Sequence, residues 1–123
     1  MILVDSSVWI DHLRAGDTEL GATLEAGLVL THPFVVGELA CGNIKNRDEI
    51  LSWLQNLSSA PVATHVEVLA FIEARSLMGR GIGYVDAHLL ASAVLADGGR
   101  LWTRDRRLRL LAEELGLAYE PQA

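Results

Sequence analysis

Four acids stand where a folding chain has little reason to put them. Asp5 follows the apolar run "MILV", and no cation comes after it until Arg14. Glu38 lies on a helix-forming stretch whose positions three and four residues away are Phe34, Val35, Cys41 and Gly42, so its face is not a solvated one. Asp86 shares one side of a later helical stretch with Leu89, Leu90 and Ala93, where an ionised carboxylate is costly unless something positive meets it. Asp105 follows "RLWT", two residues after Thr103. Cations are scarce, with twelve acids against five bases in residues 1–99. Carboxylates gathered at one place would repel unless a hard divalent cation sat among them, and oxygen donors suit magnesium or manganese. A bland reading stays open for each acid. Asp5 and Asp105 read equally as caps of the helices that follow them, and Glu38 or Asp86 as the partner of a buried arginine.

The elements that must carry these acids alternate in type. "MILV" reads as a short buried strand, "SSVWIDHLR" as a helix with serine at its cap, "DTELGATLEAG" as a second helix ended by Gly27, and "LVLT" as a strand. "PFVVGELACG" is a helix bounded by Pro33 and Gly42, and "NRDEILSWLQNL" an amphipathic helix capped by Asn46. "APVA" reads as a short strand and "THVEVLAFIEARSLMG" as a long helix. After the glycine-rich break "GRGIG" come the apolar helix "YVDAHLLASAVLADG", the strand "RLWT", the helix "DRRLRLLAEELG" and a last strand "LAYE". Strands separated by helices predict an α/β fold in three layers, α/β/α, around a parallel sheet of four to five short strands. Ligands of such sheets sit outside the carboxyl ends of the strands, where Asp5 and the pair Thr103 and Asp105 converge from distant sequence.

Composition sets outer limits. The chain's 123 residues fit one domain, 1–123, and half of them are hydrophobic, enough for a real core. Apolar stretches are too short to cross a bilayer and the amino terminus lacks a basic signal region, so a soluble, cytoplasmic protein is expected. Cys41 is the one cysteine; it excludes an internal disulfide or a thiol zinc site and agrees with a reducing compartment. A net charge of −6 argues against loose adhesion to nucleic acid. Yet Arg100, Arg104, Arg106, Arg107 and Arg109, half of all the basic residues, fall within ten positions. That cluster reads either as a contact for RNA phosphates or as a solvated helix face.

Other candidates are weaker. His12, His32, His65 and His88 show no paired metal-ligand spacing and read as surface or core residues; His88, two residues beyond Asp86, is also a candidate substrate contact. Trp9, Trp53 and Trp102 sit among aliphatic residues at core-like spacing, which favours packing over base stacking. "GRGIG" follows a helix and lacks the Lys-Ser/Thr of a phosphate loop, so it reads as a flexible turn.

The order "VDSSVWI", the glutamate of "VVGELACG", "YVDAHLLASA" and "LWTRDRRL" resembles the PIN-domain ribonucleases, and specifically the VapC toxins of bacterial toxin–antitoxin pairs, over essentially the whole chain. Each motif is short; their order and spacing together carry the resemblance. It implies a PIN-like fold with Asp5, Glu38, Asp86 and Asp105 as metal-binding and catalytic acids, Asp105 being the most variable position of the four in the family. Ser6 and Thr103 would be hydroxyls that position them, with Arg104, Arg106 and Arg107 as candidate RNA contacts. The implied cofactor is Mg2+, with Mn2+ able to substitute, and the implied reaction is hydrolysis of RNA phosphodiester bonds to a 5′-phosphate and a 3′-hydroxyl. The implied partners are a small VapB-like antitoxin that inserts a basic residue into the acidic site and, given apolar helices such as "VEVLAFIEA", a second copy of the chain in a homodimer. Two rivals remain. A metal-dependent phosphatase of the haloacid dehalogenase type needs an acid where Ser7 stands, and an inactive interaction domain is expected to have lost site acids, none of which is missing.

Overall fold

The computed structural model describes residues 1–121. Its centre is β1, Ile2–Val4, whose three aliphatic side chains are all buried. A strand covered on both faces has no polar side to show, which is why "ILV" runs unbroken. On one side β1 pairs with β2, Val29–Leu30, in the register Ile2 to Val29 and Leu3 to Leu30. On the other it pairs with β3, Arg100–Trp102, matching Ile2, Leu3 and Val4 to Arg100, Leu101 and Trp102. Both pairings are parallel and the order is β2-β1-β3.

Seven helices connect and follow these strands among the described residues: α1, Ser6–Ala15; α2, Thr18–Glu25; α3, Pro33–Ala40; α4, Arg47–Gln55; α5, His65–Ala74; α6, Tyr84–Leu95; and α7, Arg106–Glu114. With right-handed crossovers, the rule for parallel strands, α1 to α4 take one face of the sheet and α5 to α7 the other. Contacts follow that division: α3 packs on α1 and α4, while α6 packs on α5, β1 and β3. This is the three-layer parallel α/β architecture that the sequence predicts. No helix among the described residues is long and apolar enough to cross a membrane.

The strand count is smaller than the four to five expected. Three strands form among the described residues, and the sheet is extended at each edge by one parallel bridge, Thr31 to Ser59 and Leu101 to Ala118. The pairing expected of "APVA" lies just ahead of it, because Pro61 has no N–H with which to continue a ladder. "LAYE" likewise contributes a single bridge. Helix α5 stops five residues short of Gly79: Ser76 takes a left-handed φ of 54°, and Leu77 N–H closes onto the Ile72 carbonyl at 3.0 Å. That closure normally recruits glycine, so serine left no stop signal to read. Asn46 does precede α4, but with φ 52° and no side-chain cap bond. Helix α1 is preceded by Asp5, not capped by serine, and the Asp5 carboxylate bonds no helix N–H. Trp9 and Trp102 are core residues, whereas Trp53, expected to be packed, is 43% exposed and meets Trp9 edge-on at 5.8 Å.

Candidate active site

Asp5 leaves β1 at the carboxyl edge of the sheet, and its N–H still bonds the Trp102 carbonyl at 2.9 Å, so the ladder itself sets it beside the end of β3. The side chain is 5% exposed. Two hydroxyls converge on its Oδ2: Ser7 Oγ and Thr103 Oγ1 each donate at 2.8 Å. Each hydroxyl in turn accepts a backbone N–H, that of Arg104 on Ser7 at 3.0 Å and that of Asp105 on Thr103 at 3.1 Å. Asp5 Oδ1 has only a long contact of 3.5 Å with Ser6 Oγ.

Ser6 reaches across the cleft. Its hydroxyl also donates to Glu38 Oε1 at 3.3 Å, joining the starts of α1 and the middle of α3. Asp86 sits in the first turn of α6 and its Oδ2 accepts the Gly83 N–H at 3.1 Å. Asp105 precedes α7 and its Oδ1 accepts the Leu108 N–H at 3.0 Å, so the capping reading holds for this residue. Capping occupies one oxygen of two. In Glu38, Asp86 and Asp105 one carboxylate oxygen is bonded within the protein and the second is not among the described hydrogen bonds, whereas Asp5 has two bonds on Oδ2 and the long Ser6 contact on Oδ1.

Electrostatics ties the four together. The Glu38 carboxyl titrates above the ordinary carboxylate range because it is drawn partly out of water beside the negative charges of Asp5 and Asp86, against which the Ser6 hydrogen bond works. Asp86 is pushed up as well, by burial first and then by Asp5 and Asp105, with the Gly83 N–H opposing. Among the described residues no Lys, Arg or His nitrogen forms an ion pair with any of the four. The buried arginine that would have explained Glu38 or Asp86 as structural is therefore absent from both. Like charges hold apart: among the described residues no three His, Cys, Asp or Glu side chains stand close enough, as placed, to grip one ion. By donor type, a set of carboxylate and hydroxyl oxygens without thiolate or imidazole fits a hard divalent ion.

The arginines divide. Arg104 turns away from the cleft and forks between Asp11 and Asp17. The side chain of Arg107 lies over Gly81, where a Cβ would meet its Cδ at 2.7 Å; with φ +84° that position suits glycine on both counts. Arg106 is exposed in the first turn of α7. His32 and His88 are buried and His65 is exposed; His88 Nε2 meets Tyr84 Oη at 2.9 Å, and Tyr84 Oη also meets His65 Nδ1 at 2.6 Å. The sequence reading missed Ser7 as an Asp5 partner, although a second hydroxyl in "DSS" was there to be noticed.

A family model for the PIN domain matches residues 2–114. The chain belongs to the PIN-domain family. Within it the kinship is to the VapC group: the chain is 53% identical over 118 residues to Ribonuclease VapC32 of Mycobacterium tuberculosis, in strain H37Rv and in strain CDC 1551 / Oshkosh, covering 96% of this chain and 95% of each relative. Among solved PIN-like structures, the crystal structure of FitAcB from Neisseria gonorrhoeae aligns with a TM-score of 0.63 at 22% identity, over 92% of this chain and 94% of that one. PAE2754 from Pyrobaculum aerophilum aligns with a TM-score of 0.59 at 17% identity, over 93% and 85%. At those identities the two structures speak for the PIN fold alone.

Proposed function

We propose that this PIN domain is a divalent-metal-dependent endoribonuclease and the toxin of a toxin–antitoxin pair. The observation that carries the reading is the approach of Asp5, Glu38, Asp86 and Asp105 at one sheet edge, coupled in charge and with no cation paired to any of them among the described residues. Likeness over nearly the full chain to a protein named a ribonuclease supports the choice of RNA. These four acids would hold Mg2+, or Mn2+ in its place. Held there, such an ion would supply Lewis acidity, the chemistry that makes a water nucleophilic at neutral pH and offsets charge on phosphoryl oxygens.

The chain's own groups do the rest. Ser7 and Thr103 fix the plane of the Asp5 carboxylate, and Ser6 holds Glu38 towards it. Glu38 and Asp86, whose affinity for a proton is raised, are our candidates to accept one from an attacking water. Arg106 and Arg107, at the start of α7 beside Asp105, would hold flanking phosphates. A basic side chain from a small antitoxin would occupy the same acids with a guanidinium or ammonium in place of metal, so inhibition and metal compete. The exposed aliphatic side chains of α5 and α6 are the proposed homodimer face.

The test is to incubate purified protein with total cellular RNA and manganese and to map new 5′ ends. Discrete, chelator-sensitive ends carrying 5′-phosphate are expected. Ends that persist in chelator or after Asp5→Asn would overturn the metal-dependent reading.

A further inference from the structure

Arg104 is a charged residue placed at the mouth of the acidic site but not aimed into it. Its guanidinium divides between two helices: Nη1 pairs with Asp11 on α1 and Nη2 with Asp17 at the start of α2. Asp17 is itself fixed, its Oδ1 accepting the Leu20 N–H at 2.9 Å and its own N–H donating to His12 Nδ1 at 3.0 Å. The fork thus ends on a rigid corner. At its other end, the backbone of Arg104 belongs to residues 103–105, which lie in neither strand nor helix. These three residues supply the Thr103 hydroxyl to Asp5, the Arg104 N–H to Ser7, whose hydroxyl donates in turn to Asp5, and Asp105 itself. The β3 ladder holds the segment at its start, through the Asp5 N–H on the Trp102 carbonyl, and two side chains anchor it further on. Asp105 ties it to α7, and Arg104 ties it to α1 and α2.

We propose that Arg104 is a positioning residue: its fork on Asp11 and Asp17 holds the 103–105 segment against Asp5, so that metal affinity, and not RNA affinity, depends on it. The inference rests on the proposed metal site and deepens it. A guanidinium is required because two carboxylates on separate helices must be bridged by one planar group, whereas a lysine ammonium is a single point of charge. A phosphate contact would tolerate lysine; a fork does not.

Four proteins decide it: wild type, Arg104→Ala, Arg104→Lys, and the double variant Asp11→Asn with Asp17→Asn, in which asparagine still caps α2. Manganese affinity is measured by calorimetry, and affinity for a labelled mixed-sequence RNA is measured in chelator. The expected result is a loss of manganese affinity of about tenfold in Arg104→Ala, the size usual for groups that orient metal ligands, with the double variant and the lysine variant close behind and RNA affinity unchanged. Should Arg104→Ala fail to fold, the other two variants carry the same readout. The inference is overturned if manganese affinity is unchanged in all three, whether or not melting temperature falls. It is equally overturned if Arg104→Ala loses RNA affinity while the double variant, which frees the arginine, gains it. A wild type that takes up no manganese fails the proposed function itself, and this inference with it.

Discussion

A carboxylate with one oxygen spoken for and one free is a group built for two tasks, and Asp86 shows both. Its bond to the Gly83 N–H starts α6, while its charge lies near those of Asp5 and Asp105 with no cation to meet it. Because its folded pKa lies above the ordinary 3.8, the native chain binds a proton there more tightly than the unfolded chain. Stability from this group is therefore fully present below 3.8 and declines as pH rises to the shifted value, above which the penalty is constant. Asp86→Asn keeps an acceptor for Gly83 and removes the penalty. In chelator at neutral pH it is expected to melt at or above wild type, with the advantage shrinking as pH approaches 3.8. Magnesium at about ten times its dissociation constant should stabilise wild type by about 1.4 kcal/mol and the variant far less, and cleavage should vanish. Melting curves in chelator and in magnesium check this; a variant melting far below a wild type that ignores magnesium would speak for a structural ion pair. The two serines after Asp5 differ in the same terms. Ser7→Ala removes a 2.8 Å bond to Asp5 and is expected to cost about tenfold in cleavage rate, whereas Ser6→Ala, with contacts of 3.5 and 3.3 Å, should cost less.

Among the elements, α3 carries Glu38 and is set by His32. His32 is fully buried; its Nδ1 accepts the Phe34 N–H at 3.0 Å and its Nε2 meets Ser92 Oγ at 3.1 Å, which requires the neutral ring. Burial, helped by the nearby His88, lowers its pKa to about 4. A folded pKa below the unfolded 6.5 means that the unfolded chain takes the proton first. Stability is whole above 6.5 and is lost as pH falls towards about 4, by about 3 kcal/mol across the window. Denaturant titrations from pH 7 to about 4 should show that slope, and His32→Asn, which keeps a cap acceptor but cannot titrate, should flatten it. A slope unchanged in the variant assigns the acid loss elsewhere. The turn from α6 into β3 is equally specified. A Cβ on Gly99 would lie 2.5 Å from the Ala93 carbonyl oxygen and 2.9 Å from Ala96, both parts of the packed turn. Gly99→Ala is expected to destabilise by about 1–3 kcal/mol, measured by urea unfolding.

At the scale of the whole molecule, one face is left uncovered. Val66 is 73% exposed and Leu69 half exposed on α5, and Val94 and Leu95 on α6 continue the surface. Between the helices runs an apolar groove floored by Ala70, Phe71 and Ala91. Association of two copies across this face would bury side chains that otherwise cost solvation. Sedimentation at tens of micromolar, roughly where weak dimers still assemble, is expected to give a dimer and Leu69→Glu with Leu95→Glu a monomer. Wild type found only as monomer would remove the dimer from the reading.

The chain announces its parallel α/β fold because the signals are local: the unbroken "ILV" of a strand buried on both faces and Pro33 opening α3. Glu38 and Asp86 stand out in the sequence for a related reason: charge on an apolar helix face contradicts its neighbours, and the contradiction is visible without coordinates. Where the reading failed, the deciding interaction is between distant residues. Nothing near Ser76 says that α5 ends there, and nothing in "LWTRDRRL" says that Arg104 turns from the cleft to Asp11 and Asp17. Nor does "DSS" tell that Ser7, not Ser6, shares the carboxylate of Asp5 with Thr103, since those hydroxyls lie 96 residues apart and meet only when β1 and β3 pair. Residue type determined which groups are candidates for the chemistry; the parallel register decided which of them meet, bringing the Ser7 and Thr103 hydroxyls onto one oxygen of Asp5.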